Sequence, residues 1–99
     1  MPYACAYVVP ADEEMYRRVK SAIGDATPDG LVVQLVLKNG RGLRHIQVWE
    51  SKEQWEQFRD DTVRPAVNRV LAAVGIPEPP RPVEETLEVV DVLGLKSAV

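Results

Sequence analysis

Gln34, His45, Gln47 and Trp49 are the side chains whose types and spacing could do chemistry in this chain. Gln34 interrupts an otherwise aliphatic run, and the other three alternate along the run that follows. In an extended strand residues two apart share a face, so His45, Gln47 and Trp49 look onto one surface. His45 is the only histidine, and small shifts move an imidazole across neutrality, so it could act as a general base or as a donor to a bound molecule. Its plainer role is a partly solvated position near a hairpin. The two amides could hydrogen-bond a ligand, or could bond each other across neighbouring strands. Trp49 could wall a pocket or fill a core. Tyr7 offers a phenol from another strand, and Phe58, three residues after Trp55, marks an apolar helix face that could close the space.

Other reaction types find little to work with. One histidine and one cysteine do not make a zinc site. Gly40-Arg41-Gly42 falls in a hairpin, without the strand-to-helix setting of a phosphate loop. No serine has an evident histidine and aspartate partner set. Cys5 cannot form an internal disulfide, and its apolar surroundings imply a buried, inert thiol. Asp60-Asp61 and Glu84-Glu85 read as solvated charge. No metal and no cofactor is expected.

The elements that must position these groups follow from periodicity and caps. Tyr3 to Val9 is an apolar, β-prone run closed by Pro10. Asp12 then offers a helix cap, Glu13 and Glu14 suit the positive helix start, and Met15, Val19, Ala22 and Ile23 form a stripe ending near Gly24. Thr27-Pro28-Asp29-Gly30 is turn chemistry. Leu31 to Lys38 reads as a strand covered on both faces. Asn39-Gly40 opens a tight hairpin, and Leu43 to Glu50 returns antiparallel. With the turn centred on Gly40-Arg41, Val36 falls opposite His45, Gln34 opposite Gln47 and Val32 opposite Trp49. On the other face Leu37 meets Arg44, Leu35 meets Ile46 and Val33 meets Val48. A one-residue slip would spoil this aliphatic face, so the register is well specified.

Ser51 and Gln54 form a capping-box pattern where the strand stops. The helix that follows reaches about Val74 and contains Pro65, so a break or kink is expected near residues 60–64, and Asp61 or Thr62 could cap a fresh turn. Gly75 ends it, Pro77 to Pro82 is a stiff connector, and a last strand covers about Glu85 to Leu93. The order β-α-β-β-α-β predicts an α+β, ferredoxin-like fold with a four-stranded antiparallel sheet and two helices on one face.

Ninety-nine residues make one domain, 1–99, which buries only about 60–70% of its unfolded surface and gains from a partner. Helices on one face leave the aliphatic face bare, and the simplest cover is a second copy packed sheet to sheet, a homodimer. A net charge of -3 argues against nucleic acid or an anionic membrane as partner. No apolar run approaches the ~20 residues of a membrane helix and no signal peptide precedes the first strand, so a cytoplasmic protein is expected.

Val48-Trp49-Glu50-Ser51, then Trp55 and Phe58, then Pro65 and Gly75, carry a resemblance. A strand-end V-W-x-S, aromatics at helical spacing and a later proline and glycine resemble the dimeric α/β-barrel superfamily, which includes antibiotic-biosynthesis-type and heme-degrading monooxygenases. The resemblance implies two chains pairing into a barrel, with a small, mostly apolar pocket between sheet and helices. It implies cofactor-independent monooxygenase-like or isomerase-like chemistry on a small aromatic or hydrophobic molecule. His45 would then be the candidate catalytic group, and Gln34, Gln47, Trp49, Tyr7 and Phe58 would line the pocket. The chain departs from the heme-degrading relatives, which use a helix-borne histidine and a strand asparagine. Here the one histidine lies on a strand, and Asn39 and Asn68 fall in a turn and late in a helix. Many small relatives also carry a histidine where this chain has Gln34. The competing expectation is a non-catalytic ligand-binding or assembly module.

Overall fold

The computed structural model of the chain describes residues 2–40, 42–77 and 81–93. The elements run β1 (Tyr3–Val9), α1 (Glu13–Ile23), β2 (Leu31–Asn39), β3 (Gly42–Trp49), α2 (Lys52–Phe58), a wide π-type turn (Arg59–Val63), α3 (Arg64–Ala73) and β4 (Glu85–Leu87). The strands form one antiparallel sheet in the order β2-β3-β1-β4, compatible with a ferredoxin-like arrangement. Among the described residues no helix is long and apolar enough to cross a membrane.

Local chemistry sets most boundaries. The Asp12 carboxylate accepts from the Met15 amide at 2.9 Å and starts α1, and Gly24 ends it at φ 103°, a conformation that favours glycine. Glu13 with Arg17 and Glu14 with Arg18 pair one turn apart along its solvent face, each at 3.0 Å. The Ser51 hydroxyl accepts from the Gln54 amide at 3.3 Å and donates to the Gln54 side chain at 3.0 Å. At the far end of α3 the Gly75 amide donates to the Ala72 carbonyl and the Ile76 amide to the Leu71 carbonyl, a Schellman closure around Gly75 at φ 75°.

The strand registers follow the sequence pattern, with one correction. Gln34 lies opposite Gln47, Val36 opposite His45, Leu35 opposite Ile46, Val33 opposite Val48 and Leu37 opposite Arg44. Trp49, however, lies opposite Leu31, not Val32, because β2 bulges between Leu31 and Val33. The bulge inserts one residue, turning Val32 outward and bringing Leu31 under the helices. Pairing of Asn39 with Gly42 bounds the hairpin loop at residues 40 and 41, of which Arg41 lies outside the described residues.

Three further expectations change. No fresh cap forms before Pro65: Phe58, Arg59, Val63 and Arg64 all keep right-handed helical dihedrals, and the irregularity expected near residues 60–64 takes the form of the wide turn instead of a break. Pro65 has no N–H to give the fourth residue back. The wide turn meets this by ending its ladder on the Arg64 amide, which donates five residues back to the Arg59 carbonyl. The last strand stops at Leu87, not Leu93. Its partner Ala4 stands one residue inside β1, so a longer β4 would run past Tyr3 onto Pro2, which has no amide hydrogen. Of the proline-rich connector, residues 78–80 lie outside the described residues.

The third change concerns β2, expected to be covered on both faces. One sheet face holds Tyr3, Cys5, Tyr7, His45, Gln47 and Trp49, with α1 and α2 packed on it and α3 against α1. The other holds Ala4, Ala6, Val8, Val33, Leu35, Leu37, Ile46 and Val48, of which Ala4 and Ala6 are buried while the larger side chains are left partly or largely open. Leu35 is 50% exposed, Val8 47% and Leu37 44%. The core lies on the helix side, around fully buried Cys5, Trp49 and Trp55.

Candidate functional site

Register brings the sequence-derived candidates together. Tyr7 stands opposite His45 across β1 and β3, Cys5 opposite Gln47, and Gln34 opposite Gln47 on the other side. These five side chains therefore form one lateral strip across three strands, beneath the helices. Trp49 lies one rung further along, its ring 5.6 Å from Trp55 and 5.6 Å from Phe58. The strip has an aromatic end at the helix α2 side and a polar end toward the hairpin.

Gln47 is the hub. Its Nε2 donates to the Tyr7 hydroxyl at 3.1 Å and to the Gln34 carbonyl oxygen at 3.3 Å, while its Oε1 accepts from the Trp49 indole N–H at 2.9 Å. Gln34 passes the chain on, donating to the Tyr16 hydroxyl of α1 at 3.4 Å. The sequence left open whether the two amides bond a ligand or each other. They bond each other, and they also tie β1, β2, β3 and α1 into one network. Gln47 is 3% exposed and Trp49 0%, so the bond between them is formed out of reach of water, where a lost partner is not replaced, while the bonds to Tyr7, Gln34 and Tyr16 are partly buried.

His45 behaves differently. It is 8% exposed, stacked 4.8 Å from the Tyr7 ring with 10° between planes, and edge-on to Tyr16 at 5.7 Å. Its Nδ1 is buried and has no hydrogen-bond partner. Burial lowers its pKa from 6.5 to about 4, so the imidazole is neutral at pH 7. Burial likewise raises the Tyr7 phenol above its ordinary value and pushes the Cys5 thiol up to about 11. At neutral pH the strip holds a neutral imidazole, a protonated phenol and a protonated thiol. Such a set can orient a molecule by hydrogen bonds and ring stacking. As a proton acceptor it is weak, since the only base present has its affinity for protons reduced by burial.

Two groups were missed by the sequence. Tyr16 was passed over in favour of Met15, although positions 16, 19 and 23 share a helix face and carry tyrosine, valine and isoleucine. Glu84 was read as solvated charge but is an anchor. Arg59, at the start of the wide turn, donates to both Glu84 oxygens at 3.0 and 3.3 Å, and the Trp55 indole N–H donates to the same carboxylate at 3.1 Å. The Arg59 guanidinium also bonds Asp60 at 2.9 Å and lies 5.8 Å from the Trp55 ring. The Asp60 carboxylate, and then Glu84, hold this guanidinium firmly charged, and Arg59 holds the exposed Asp60 carboxyl below its usual range. Only a folded chain brings Glu84 to residues 25 and 29 positions earlier.

Two shallow hollows open elsewhere on the surface. One follows the charged face of α1, along Glu13, Glu14, Arg17, Arg18 and Ser21. The other, about 470 Å³, is lined by Ala6, Tyr7, Val8, Arg44, Val83 and Glu85. Among the described residues no group of three or more histidine, cysteine, aspartate or glutamate side chains is placed to hold a metal ion. Compared with known proteins, the sequence matches no family model, and no curated protein is significantly similar to it.

Proposed function

We propose that the protein is a homodimeric α/β-barrel module in which two copies pack sheet against sheet, and that it works in the cytoplasm. The observation that carries this reading is the uncovered aliphatic face of Val8, Val33, Leu35, Leu37, Ile46 and Val48. Four strands about 4.8 Å apart and some six residues long outline roughly 400 Å² in projection, and side-chain relief makes the accessible area larger. That is about half of the ~800 Å² per partner of a standard interface, and it falls in the range of roughly 300–600 Å² for the largest apolar patch on a monomer, a patch that is often functional. A face made of β-branched and leucine side chains suits aligned packing of two sheets. Sedimentation of the wild type at micromolar concentration should give a dimer. Leu35→Glu, which would bury a carboxylate in the interface, should give a monomer. A wild-type monomer across the micromolar range would remove the reading.

A second reading rests on His45. A buried, unpartnered Nδ1 is unusual, and a hydrogen-bonding group of a bound molecule would satisfy it. Under this reading a small aromatic or hydrophobic molecule enters beside His45, Tyr7 and Tyr16, with Gln34, Gln47, Trp49 and Phe58 shaping the enclosure. The chemistry would be monooxygenase-like or isomerase-like without a cofactor, and the protein's part would be orientation and exclusion of water. Titration with small phenols and quinones, followed by Trp49 and Trp55 fluorescence, tests it. Saturable quenching that His45→Phe abolishes would support this reading; no saturable change would leave the assembly module alone.

A further inference from the structure

The uncovered sheet face is not purely apolar. Among the described residues of its paired strands it carries two charged side chains, Arg44 on β3 and Glu85 on β4. Both are exposed, and neither has an ion-pair or hydrogen-bond partner among the described residues. They flank one hollow, with Ala6, Val8 and Val83 between them. If the face is covered, both charges leave water, and an unpaired buried charge costs far more than the apolar contacts around it return. Something must neutralise each of them within the interface.

We propose that Arg44 of one copy pairs with Glu85 of the second copy, and that this pair, formed twice, fixes how the two sheets are oriented on each other. The inference rests on the sheet-to-sheet dimer proposed above. A two-fold interface is self-complementary: if residue 44 meets residue 85, then residue 85 meets residue 44. The sheet allows this. Its order is β2-β3-β1-β4, so a two-fold axis running along the central strands lays β3 over β1 of the second copy and β2 over its β4. Arg44 then stands over the rung that Val8 occupies, and Glu85, paired with Ala6, lies one strand and two residues away. With strands about 5 Å apart, residues about 3.4 Å apart and sheets about 10 Å apart, the two α-carbons are separated by roughly 13 Å. A guanidinium and a carboxylate reach across that gap. A one-strand shift that lays β4 over β3 keeps the two α-carbons roughly 12 Å apart, whereas the opposite shift widens the gap to roughly 15 Å and sets the charges over aliphatic side chains, so the pair narrows the arrangements open to the sheets as well as stabilising them.

Exchanging the charges tests this without altering the apolar surface. In Arg44→Glu the dimer would face two acidic pairs, and in Glu85→Arg two basic pairs. Each variant alone should dissociate at least tenfold more readily than wild type by sedimentation, with unchanged circular dichroism. Mixed in equal amounts, the two variants should form a heterodimer of near wild-type affinity, detected by native mass spectrometry with one variant mass-tagged. In that heterodimer both crossed pairs are restored, while no pair within a chain is. A mixture that associates no better than its components overturns the proposal, as does a single variant that dimerises like wild type; in both cases a dimeric wild type leaves the sheet-to-sheet reading standing. A monomeric wild type overturns both.

Discussion

Replacing Gln47 with leucine removes one buried and two partly buried hydrogen bonds while nearly conserving volume, and the cost can be worked out from the geometry. The Trp49 indole N–H, 2.9 Å from Gln47 Oε1, loses its acceptor in a residue with no solvent exposure. Orphaning a buried donor costs about 1–3 kcal/mol. The Tyr7 hydroxyl and the Gln34 carbonyl oxygen also lose a donor, but both residues are only half-buried and can turn toward water, so their share is smaller. A total of about 2–4 kcal/mol is expected. Gln34→Leu is the control. It deletes the same inter-amide bond and a long 3.4 Å bond to Tyr16, yet Gln47 keeps its bonds to Tyr7 and Trp49, so about 1 kcal/mol is expected. A chain of this length has a total stability of roughly 5–15 kcal/mol, so the two variants are well separated on that scale. Urea unfolding followed by circular dichroism measures both, at one fixed protomer concentration because self-association would raise apparent stability. Loss of less than 1 kcal/mol in Gln47→Leu, or equal losses in the two variants, would refute the network as a structural hub.

Two more expectations follow from buried and half-buried groups. His45 keeps a pKa of about 4 when folded against 6.5 when unfolded, so between those values the unfolded chain binds a proton that the folded chain refuses. Stability should be full above about pH 6.5 and fall as pH drops from there toward 4; His45→Phe should flatten that slope in urea midpoints measured across the range, and an unchanged slope would show that His45 is not its source. Arg59→Ala should cost about 1–2 kcal/mol by releasing both bonds to Glu84. It should also speed hydrogen exchange at Thr86 and Leu87, and unaltered exchange there would mean that β4 does not depend on the Glu84 anchor.

How much of this was legible in the sequence varies with the range of the interaction that decides it. The hairpin register could be read because alternation has a period of two and Asn39-Gly40 fixes the turn. The slip at Val32 could not, since a bulge is chosen by what packs on Leu31. Asp12, Ser51 and Gly75 announced helix ends because capping is local. Pro65 announced a disturbance but not its form, and a fresh cap and a wide turn both satisfy the missing amide. The end of β4 was invisible in its own residues, Glu88 to Leu93, because it is set by where β1 begins. The clustering of Tyr7, Gln34, Gln47 and Trp49 followed from register alone. Their mutual satisfaction, the unpartnered His45 Nδ1 and the Glu84 anchor depend on side chains brought together only by the finished fold.

The wide turn before Pro65 also makes the chain's length a structural variable. An α-helix advances about 100° per residue, so plain counting from Trp55 would put Leu71 about 160° around the axis, nearly opposite. Both are buried. The turn from Arg59 to Val63 absorbs about one residue's rotation, roughly 100°, and so brings Leu71 back toward the side that Trp55 faces. Deleting one residue within the turn would leave the second half facing nearly as before, because a regular helix one residue shorter turns Leu71 to roughly 60° from Trp55, the angle the wide turn already gives. Deleting one residue elsewhere between Trp55 and Leu71, with the wide turn kept, would rotate the second half by about 100°, and Leu71 would swing out. A length change that looks harmless on a helix surface would act there as a rotation of everything downstream, including the strand that must return to β1.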